Sequence, residues 1–395
     1  VQKAFCVHVI TRDFSYTYVL ENKIEHIIFT YNNGNKMKFT RYLYNEDEVV
    51  LTFLEQLLKQ ENLNECYFWI YEYYKSGFVR ETWNILYKIY YDFYALQNPR
   101  LEKKINEYYE KFNTDKNIKH VLCVVKNLFR FKKDYKILMM RIYYYKKFDK
   151  LDIVDDIKIK NYKITKTDEI LLANAIYKKH SNLIAFYLYR LDYDNSIKLL
   201  NHILNKEIVI NENYDNKYHQ LLVIIMNSFN IKSIEKNVYY KRVSIKEIKI
   251  VLKSDEEYYN KGNYDDVSYA HNTLGKHRLY TISQNIGCFK LERQNFNLNE
   301  LFWYKWEYYA YKSPLWKERF SKYKITVNDK KQLIDFDDDD ELEEFYFRYG
   351  YEPDEQKQEI QDKSIIKIKK NHIHTWINTL FENKFEKKIY KKLEY

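Results

Sequence analysis

The chain has 395 residues, of which 46% are hydrophobic and 18% aromatic, and its 66 lysines and arginines against 56 aspartates and glutamates give a net charge of +10. Only six glycines and three prolines occur, which excludes the collagen-like, glycine-linker and proline-rich classes of protein. The sequence contains no apolar run of about 18 residues, so we predict no membrane insertion. Neither a signal-peptide pattern nor a CxxC pair occurs, and we therefore expect an intracellular protein with reduced cysteines that is not secreted.

Residues 1–44 are predicted to form a small β-hairpin element. Residues 24–30 and 37–43 are β-prone, and they flank Asn33-Gly34. Asn-Gly between two such runs indicates a tight turn, because the favoured hairpin turns need a positive φ.

Residues 45–235 are predicted to form a helical domain. Apolar residues recur at helical spacing from Asn45, which is expected to cap the first helix, and Pro99 stops a later one. The predicted helices cover residues 46–58, 65–75, 80–97, 99–112, 114–130, 132–147, 167–179, 183–191, 195–205 and 218–229. Paired helices with short joints favour a mainly α fold, either an irregular or a solenoid-like stack, although no fixed repeat period occurs.

Residues 236–395 are predicted to form a mixed α+β region. Its expected elements are helices over 298–311, 315–323, 337–349 and 374–393 and a hairpin of 325–327 with 332–336. Charge is uneven here, since the acidic segment 335–362 has 13 acidic and two basic residues, whereas residues 363–395 have nine lysines and three glutamates. We expect the last helix, 374–393, to be basic and amphipathic.

Between residues 116 and 150 there are 11 lysines and arginines and only two aspartates, with aromatic residues interleaved. Cations that follow a backbone, combined with aromatic platforms, are typical of proteins that bind single-stranded nucleic acid. The candidate nucleic-acid-binding residues are Lys126, Arg130, Lys132, Lys133, Lys136 and Arg141. The alternative is that the lysines lie on solvated helix faces and that the aromatic side chains belong to the core.

Tryptophan and tyrosine often anchor protein interfaces, and the aromatic segment 298–320 is rich in both. The candidate residues for a partner interface are Trp303, Trp306 and Trp316.

No complete catalytic, nucleotide-binding or metal-binding motif occurs, so we predict no cofactor, no catalytic residue and no metal ligand. The histidine pairs His271/His277 and His372/His374 lack a third ligand at a convincing spacing. Residues 262–288 carry an alternative enzyme hypothesis, because polar side chains and three of the six glycines lie together there. The residues of that hypothesis are Asp265, Asp266, His271, His277 and Arg278.

Three aromatic blocks of the chain are residues 69–99 (WIYEYYKSGFVRETWNILYKIYYDFYALQNP), 301–319 (LFWYKWEYYAYKSPLWKER) and 345–356 (FYFRYGYEPDEQ). These blocks resemble uncharacterised proteins of giant nucleocytoplasmic DNA viruses, a mimivirus-like family. The resemblance implies a source, a large virus of a eukaryotic host, and a location in the host cytoplasm, the viral factory or the virion. It supplies no fold, substrate or catalytic residue.

Three functional hypotheses follow. The first is a non-enzymatic interaction or scaffold protein with protein partners, either a virion component or a subunit of a viral complex. The second is a nucleic-acid-associated protein that uses the basic segment 116–150. The third is an enzyme with its site around 262–288. The sequence leaves the oligomeric state open.

Overall fold

Helices make up almost all the regular structure in the computed structural model, which describes residues 37–143, 167–229, 239–253, 269–289 and 297–368. The described residues form one compact unit, and the mainly α fold expected from the sequence is confirmed. The elements in these ranges are α1 (Glu46–Lys59), α2 (Leu63–Lys75), α3 (Val79–Phe93), α4 (Leu101–Asp115), α5 (Lys119–Arg130), α6 (Lys136–Tyr143), α7 (Thr167–Tyr177), α8 (Ser181–Leu188), α9 (Tyr193–Leu204), α10 (Lys217–Phe229), α11 (Ile245–Lys253), α12 (Tyr269–His277), α13 (Leu298–Tyr304), α14 (Trp306–Tyr311), α15 (Pro314–Phe320), β1 (Ile325–Asn328), β2 (Leu333–Phe336), α16 (Asp339–Tyr349) and α17 (Gln358–Ile365). The predicted turn at Asn33-Gly34 and the predicted helix 374–393 lie outside the described residues.

The helices of the first region form because apolar side chains repeat at helical spacing and because polar side chains cap their ends. The Asn62 side-chain oxygen accepts hydrogen bonds from the backbone N of Asn64 and Glu65 at 3.1 and 3.2 Å. This cap starts α2 at Leu63 rather than at Glu65. Neighbours in sequence then pack as pairs, among them α1 with α2, α4 with α5 and α7 with α8.

Residues 37–45 form a buried loop rather than the strand predicted over 37–43. The chain turns within this loop, Leu43 has a φ of 58°, and a single bridge joins Phe39 to Asn45. Most backbone groups of a strand would bond to a neighbouring strand, whereas several here bond to the side chains of helices. The loop therefore ends its β-pairing after one bridge.

The buried side of this loop is fixed to α2 by Glu72. The Arg41 Nη2 atom lies 3.2 Å from Glu72 Oε2, and the Tyr42 amide donates to Glu72 Oε1 at 2.7 Å. The Arg41 amide also donates to the Ser76 hydroxyl at 2.8 Å. A buried carboxylate needs such partners, because an isolated charge in the interior is costly.

The same loop also bonds to the C-terminal region. Three of the hydrogen bonds in this connection involve side chains: Trp316 Nε1 to the Thr40 carbonyl at 3.0 Å, Ser364 Oγ to the Leu43 carbonyl at 2.9 Å, and the Tyr44 hydroxyl to the Tyr280 carbonyl at 2.8 Å. Residues 37–45 thus lie between the helical region and the C-terminal region and contact both.

A buried polar cluster joins α3, α6 and α10. The Asp92 carboxylate accepts two hydrogen bonds from Arg141, from Nε at 2.9 Å and from Nη2 at 2.8 Å. His219 Nε2 lies 3.1 Å from Asp92 Oδ1, and His219 Nδ1 lies 2.9 Å from the Tyr214 hydroxyl. Burial alone would raise the pKa of Asp92, but the charge of Arg141 and the hydrogen bonds from His219 and Arg141 outweigh it and hold that pKa below its ordinary value.

The predicted C-terminal hairpin is present. β1 pairs with β2 in antiparallel fashion, with Ile325 opposite Phe336. The acidic helix α16 follows, and the Asp338 side chain caps it by accepting from the Asp340 amide at 2.8 Å. As predicted, α16 ends before Gly350.

The helix predicted over 298–311 is two helices, α13 and α14, which are separated at Lys305. Its φ of −132° lies outside the helical range. After this break the Trp306 ring packs edge-on against the Trp316 ring, with centroids 5.2 Å apart. The burial of both indoles overrides the continuous periodicity of the local sequence.

We predict that Asp92→Ala lowers the free energy of unfolding by about 3–5 kcal/mol, because it leaves Arg141 buried without its carboxylate partner. Urea denaturation would measure the decrease. The control is Asp168→Ala, since Asp168 pairs with Arg190 at 3.9 Å on the surface, where a pair contributes about 0–1 kcal/mol. Equal decreases in the two variants would contradict the proposed importance of the cluster.

Glu307 on α14 gives a pH-dependent prediction. Burial raises the pKa of Glu307 from its ordinary 4.5 to about 7, although a hydrogen bond from the Tyr346 hydroxyl opposes the shift. Because Glu307 has a higher pKa in the folded chain than in the unfolded chain, it binds its proton more tightly in the folded state. This stabilisation is complete below about pH 4.5 and is lost as the pH rises through about 7. We expect Glu307→Gln to stabilise the protein by about 1–3 kcal/mol at about pH 8 and by much less at about pH 5. Thermal unfolding at the two pH values tests this, and an equal difference at both would contradict it.

Candidate nucleic-acid interface

Three of the six predicted nucleic-acid-binding residues have their charged groups bonded to partners within the protein. Lys126 Nζ lies 2.7 Å from Glu247 Oε1, and Arg141 bonds to the buried Asp92. Lys133 Nζ donates to the Leu58 carbonyl and, at 3.2 Å, to the Gln60 side chain. An ammonium or guanidinium group that is already paired has little free charge for a phosphate.

Lys136 is also partly withdrawn from solvent, and burial lowers its pKa despite the opposing charge of Asp134. The two remaining candidates, Arg130 and Lys132, are exposed. They flank the residue that ends α5, Phe131, where the chain leaves the helix. Of the six candidates, Arg130 and Lys132 are the two whose side chains are exposed.

A second segment, residues 239–253, brings more cations to the same place. Its first part runs along α5 in the opposite chain direction. Three of the contacts between the two segments show this direction: the Tyr240 and Phe131 rings with centroids 5.9 Å apart, the Lys241 amide and Asn127 Oδ1 at 2.8 Å, and the Val243 amide and Cys123 Sγ at 3.3 Å. Residues 123, 127 and 131 lie on one side of α5, so the segment follows that side for two turns.

The acidic residue of this segment is neutralised internally. Residues 239–253 contain five lysines and arginines and one acidic residue, Glu247. Glu247 accepts hydrogen bonds from Lys126 Nζ and from the amide and hydroxyl of Ser244, all at 2.7–2.8 Å. Burial would raise the pKa of Glu247, but these bonds lower it to about 2. Glu247 is thus ionised and paired, and it leaves the cations around it uncompensated.

We define the basic face as the exposed cations of these two segments. Its residues are Arg130, Lys132, Lys241, Arg242, Lys246 and Lys249, all of which are exposed. Tyr239 lies at one end of the set with 78% of its surface exposed. Exposed cations beside an exposed ring can contact phosphate groups and stack on a base. The sequence signal that could have found this face is the ratio of five cations to one acid directly after Tyr239 and Tyr240.

Two of the three tryptophans predicted to bind a partner lie in the core. Trp306 is 1% exposed and Trp316 is 0% exposed. Both have large apolar rings, and Trp316 Nε1 has its hydrogen-bond acceptor within the protein. Trp303 is half-buried.

The residues of the enzyme hypothesis are not assembled into a site in the described part of the chain. Asp265 and Asp266 lie outside the described residues, as do His372 and His374. The side chain of His271 is likewise outside the described part, although its backbone lies in α12. His277 is buried, and its ring stacks on Tyr42 with centroids 5.5 Å apart. Among the described residues, no three His, Cys, Asp or Glu side chains converge as a metal site would require.

Among the residues of the enzyme hypothesis, Arg278 differs from what its charge would lead us to expect, because its side chain is completely buried. Its guanidinium carbon lies 4.5 Å from the centre of the Tyr44 ring and 5.1 Å from that of Phe302. None of its three nitrogens has an acceptor of good hydrogen-bond geometry among the described residues. Burial lowers the pKa of Arg278, and the Tyr44 hydroxyl and the charge of Glu72 oppose that shift. Burying an ion costs several kcal/mol, roughly 5, whereas a desolvated cation–π contact returns about 2 kcal/mol.

Comparison with known proteins identifies no relative: no family model matches the chain, and neither a curated protein nor a solved structure matches it. The origin in a giant virus therefore stays a prediction. In the described ranges, no helix has both the length and the apolar character that crossing a membrane would require.

Proposed function

We propose that the chain is a non-enzymatic, nucleic-acid-associated protein that binds single-stranded DNA or RNA through the basic face. One observation carries the proposal. Two segments far apart in sequence, α5 with its C-terminal end and residues 239–253, lie side by side and expose six cations, while the one acidic residue among them is paired with Lys126. Such a surface attracts a phosphate backbone independently of base sequence.

The exposed ring of Tyr239 favours single-stranded over double-stranded nucleic acid as the ligand. Its ring is 78% exposed, and it makes no ring contact with another described residue. Leaving a large ring in water is unfavourable, and an unpaired base can cover it by stacking. Bases in a duplex are already stacked on one another, so a duplex can offer only its phosphates to this face.

The cations are tested with the double variant Lys241→Ala/Arg242→Ala. Binding of a labelled single-stranded oligonucleotide, measured by fluorescence anisotropy at several salt concentrations, should weaken, and its dependence on salt should decrease. The slope of log K against log salt should fall by about 0.7 for each phosphate group that the variant no longer neutralises. The matched control is Lys198→Ala/Lys206→Ala, which removes two exposed lysines at α9, a helix that packs on α7 and α10. Equal binding by the wild type and both double variants would refute the proposal.

The aromatic part of the proposal is tested with Tyr239→Ala. Removing the platform for one stacked base should cost about 1–3 kcal/mol for a single strand, while the salt dependence stays the same because no charge changes. Binding to a duplex of the same length should not change. If Tyr239→Ala weakened binding to the single strand and to the duplex by the same factor, the stacking role of Tyr239 would be contradicted. The proposal for the cations would not be affected.

The interaction or scaffold role remains a second candidate, and one observation favours it. Three aliphatic side chains of α11 are exposed, namely Ile245 (75%), Ile250 (49%) and Leu252 (41%). A short helix with aliphatic side chains in water is suited to a protein partner. Light scattering combined with pull-down would test this role, and a monomer that retains no partner would contradict it.

A further inference from the structure

The exposed side of α11 combines aliphatic side chains with lysines. Ile245, Lys249 and Leu252 are spaced four and three residues apart, so they lie on one side of the helix, and Lys246 and Ile250 lie next to them. All five are exposed, although α11 packs on α2. A phosphate backbone attracts the lysines but leaves the aliphatic side chains in water. A partner that covers this side must therefore supply both negative charge and apolar surface.

The acidic helix α16 has that combination on its own exposed side. Asp339, Glu343 and Phe347 follow one another at intervals of four residues and form a stripe along the helix. The Phe347 ring is 43% exposed, and Leu342 beside the stripe is 36% exposed. The opposite side of α16 is held in the core by the fully buried Phe345. The helix thus presents carboxylates and apolar side chains together at fixed positions.

The charges of the two helices are opposite in sign. Residues 239–253 carry five cations and one acid, which is paired with Lys126, whereas residues 335–362 carry 13 acidic and two basic residues. The two carboxylates of the stripe and the two lysines of α11 form no ion pair with a described residue. Both sides are exposed within one chain, so α11 and α16 of the same copy do not cover each other. A second copy can bring them together.

The spacing on the two helices also matches. Lys246 and Ile250 on α11 are four residues apart, as are Glu343 and Phe347 on α16. Four residues span about 6 Å along a helix, so an ion pair and an apolar contact can form at the same time, one turn apart. We propose that α16 of one copy of the chain docks on the exposed side of α11 of a second copy. This inference rests on the interaction role proposed for α11 and names its partner.

A contact between two different surfaces does not close on itself. A dimer keeps one uncovered α11 and one uncovered α16, so further copies add to it until a ring closes or a chain of copies grows. Light scattering should show a mass that rises with protein concentration beyond that of a dimer. Because salt screens exposed charges, the mass should be smaller at about 1 M than at about 0.1 M NaCl.

Charge reversal on either helix tests the contact. Lys246→Glu/Lys249→Glu places like charges opposite α16, and Asp339→Lys/Glu343→Lys does the same opposite α11. Each variant alone should associate at least about tenfold more weakly than the wild type, because like charges across an interface are costly. An equimolar mixture of the two variants should associate again, since α16 of the first and α11 of the second are unchanged. Unfolded variants would not regain association on mixing.

Lys198→Glu/Lys206→Glu serves as the control, because it reverses two exposed lysines at α9 and should associate as the wild type does. The inference is overturned if the wild type is monomeric, if either reversal variant associates as the wild type does, if the mixture remains monomeric, or if the control loses association equally. The nucleic-acid proposal is judged separately, by oligonucleotide binding of Asp339→Lys/Glu343→Lys, which keeps the basic face. A monomeric wild type that retains a different protein would overturn this inference, while the interaction role of α11 would stand.

Discussion

The buried carboxylate of Asp92 fixes the relative positions of three helices. It accepts two hydrogen bonds from Arg141 and lies 3.1 Å from His219, so that α3, α6 and α10 share one buried polar contact. Burial is the main factor that lowers the pKa of His219, which favours its neutral form. The charged part of the cluster is the ion pair of Asp92 with Arg141. A buried pair of this kind tolerates little displacement, because either partner alone would be an uncompensated charge.

The basic face depends on the same packing. α3 contacts α5 as well as α6 and α10, and α1, α2 and α4 pack against α5 too. With those neighbours in place, the remaining side of α5 is covered by residues 240–243. Arg141 and Lys126 point into the molecule, where each forms an ion pair with a carboxylate. Lys241 and Arg242 point outward and form no ion pair with a described residue. The proposed binding surface thus consists of cations that form no ion pair within the described part of the protein.

Local patterns in the sequence predicted the helices and the C-terminal hairpin, because periodicity shows directly which face of an element is apolar. The same patterns do not show what covers that face. Trp306 and Trp316 looked suited to a partner, yet each covers the other within the chain. The charged segment 116–150 had a similar ambiguity, since a lysine on a helix has the same local signature whether it faces Glu247 or solvent. Local patterns do not show that residues 239–253 lie beside α5, because the two segments are more than a hundred positions apart in the sequence.

The loop of residues 37–45 has a consequence for the order in which the chain acquires its structure. The hydrogen bonds of Tyr44, Thr40 and Leu43 to the C-terminal region span 236, 276 and 321 positions of sequence. Contacts of such separation form slowly, because a long stretch of chain must close on itself first. On the ribosome, Tyr42 and Tyr44 emerge early, and their rings lack the contacts with His277 and Arg278 until those residues have been translated. The hydrogen bonds from Trp316 of α15 and Ser364 of α17 to this loop form later still. Final burial of this segment is therefore a late, post-synthetic step, and nascent chains that stop before α15 leave it open to chaperones and proteases.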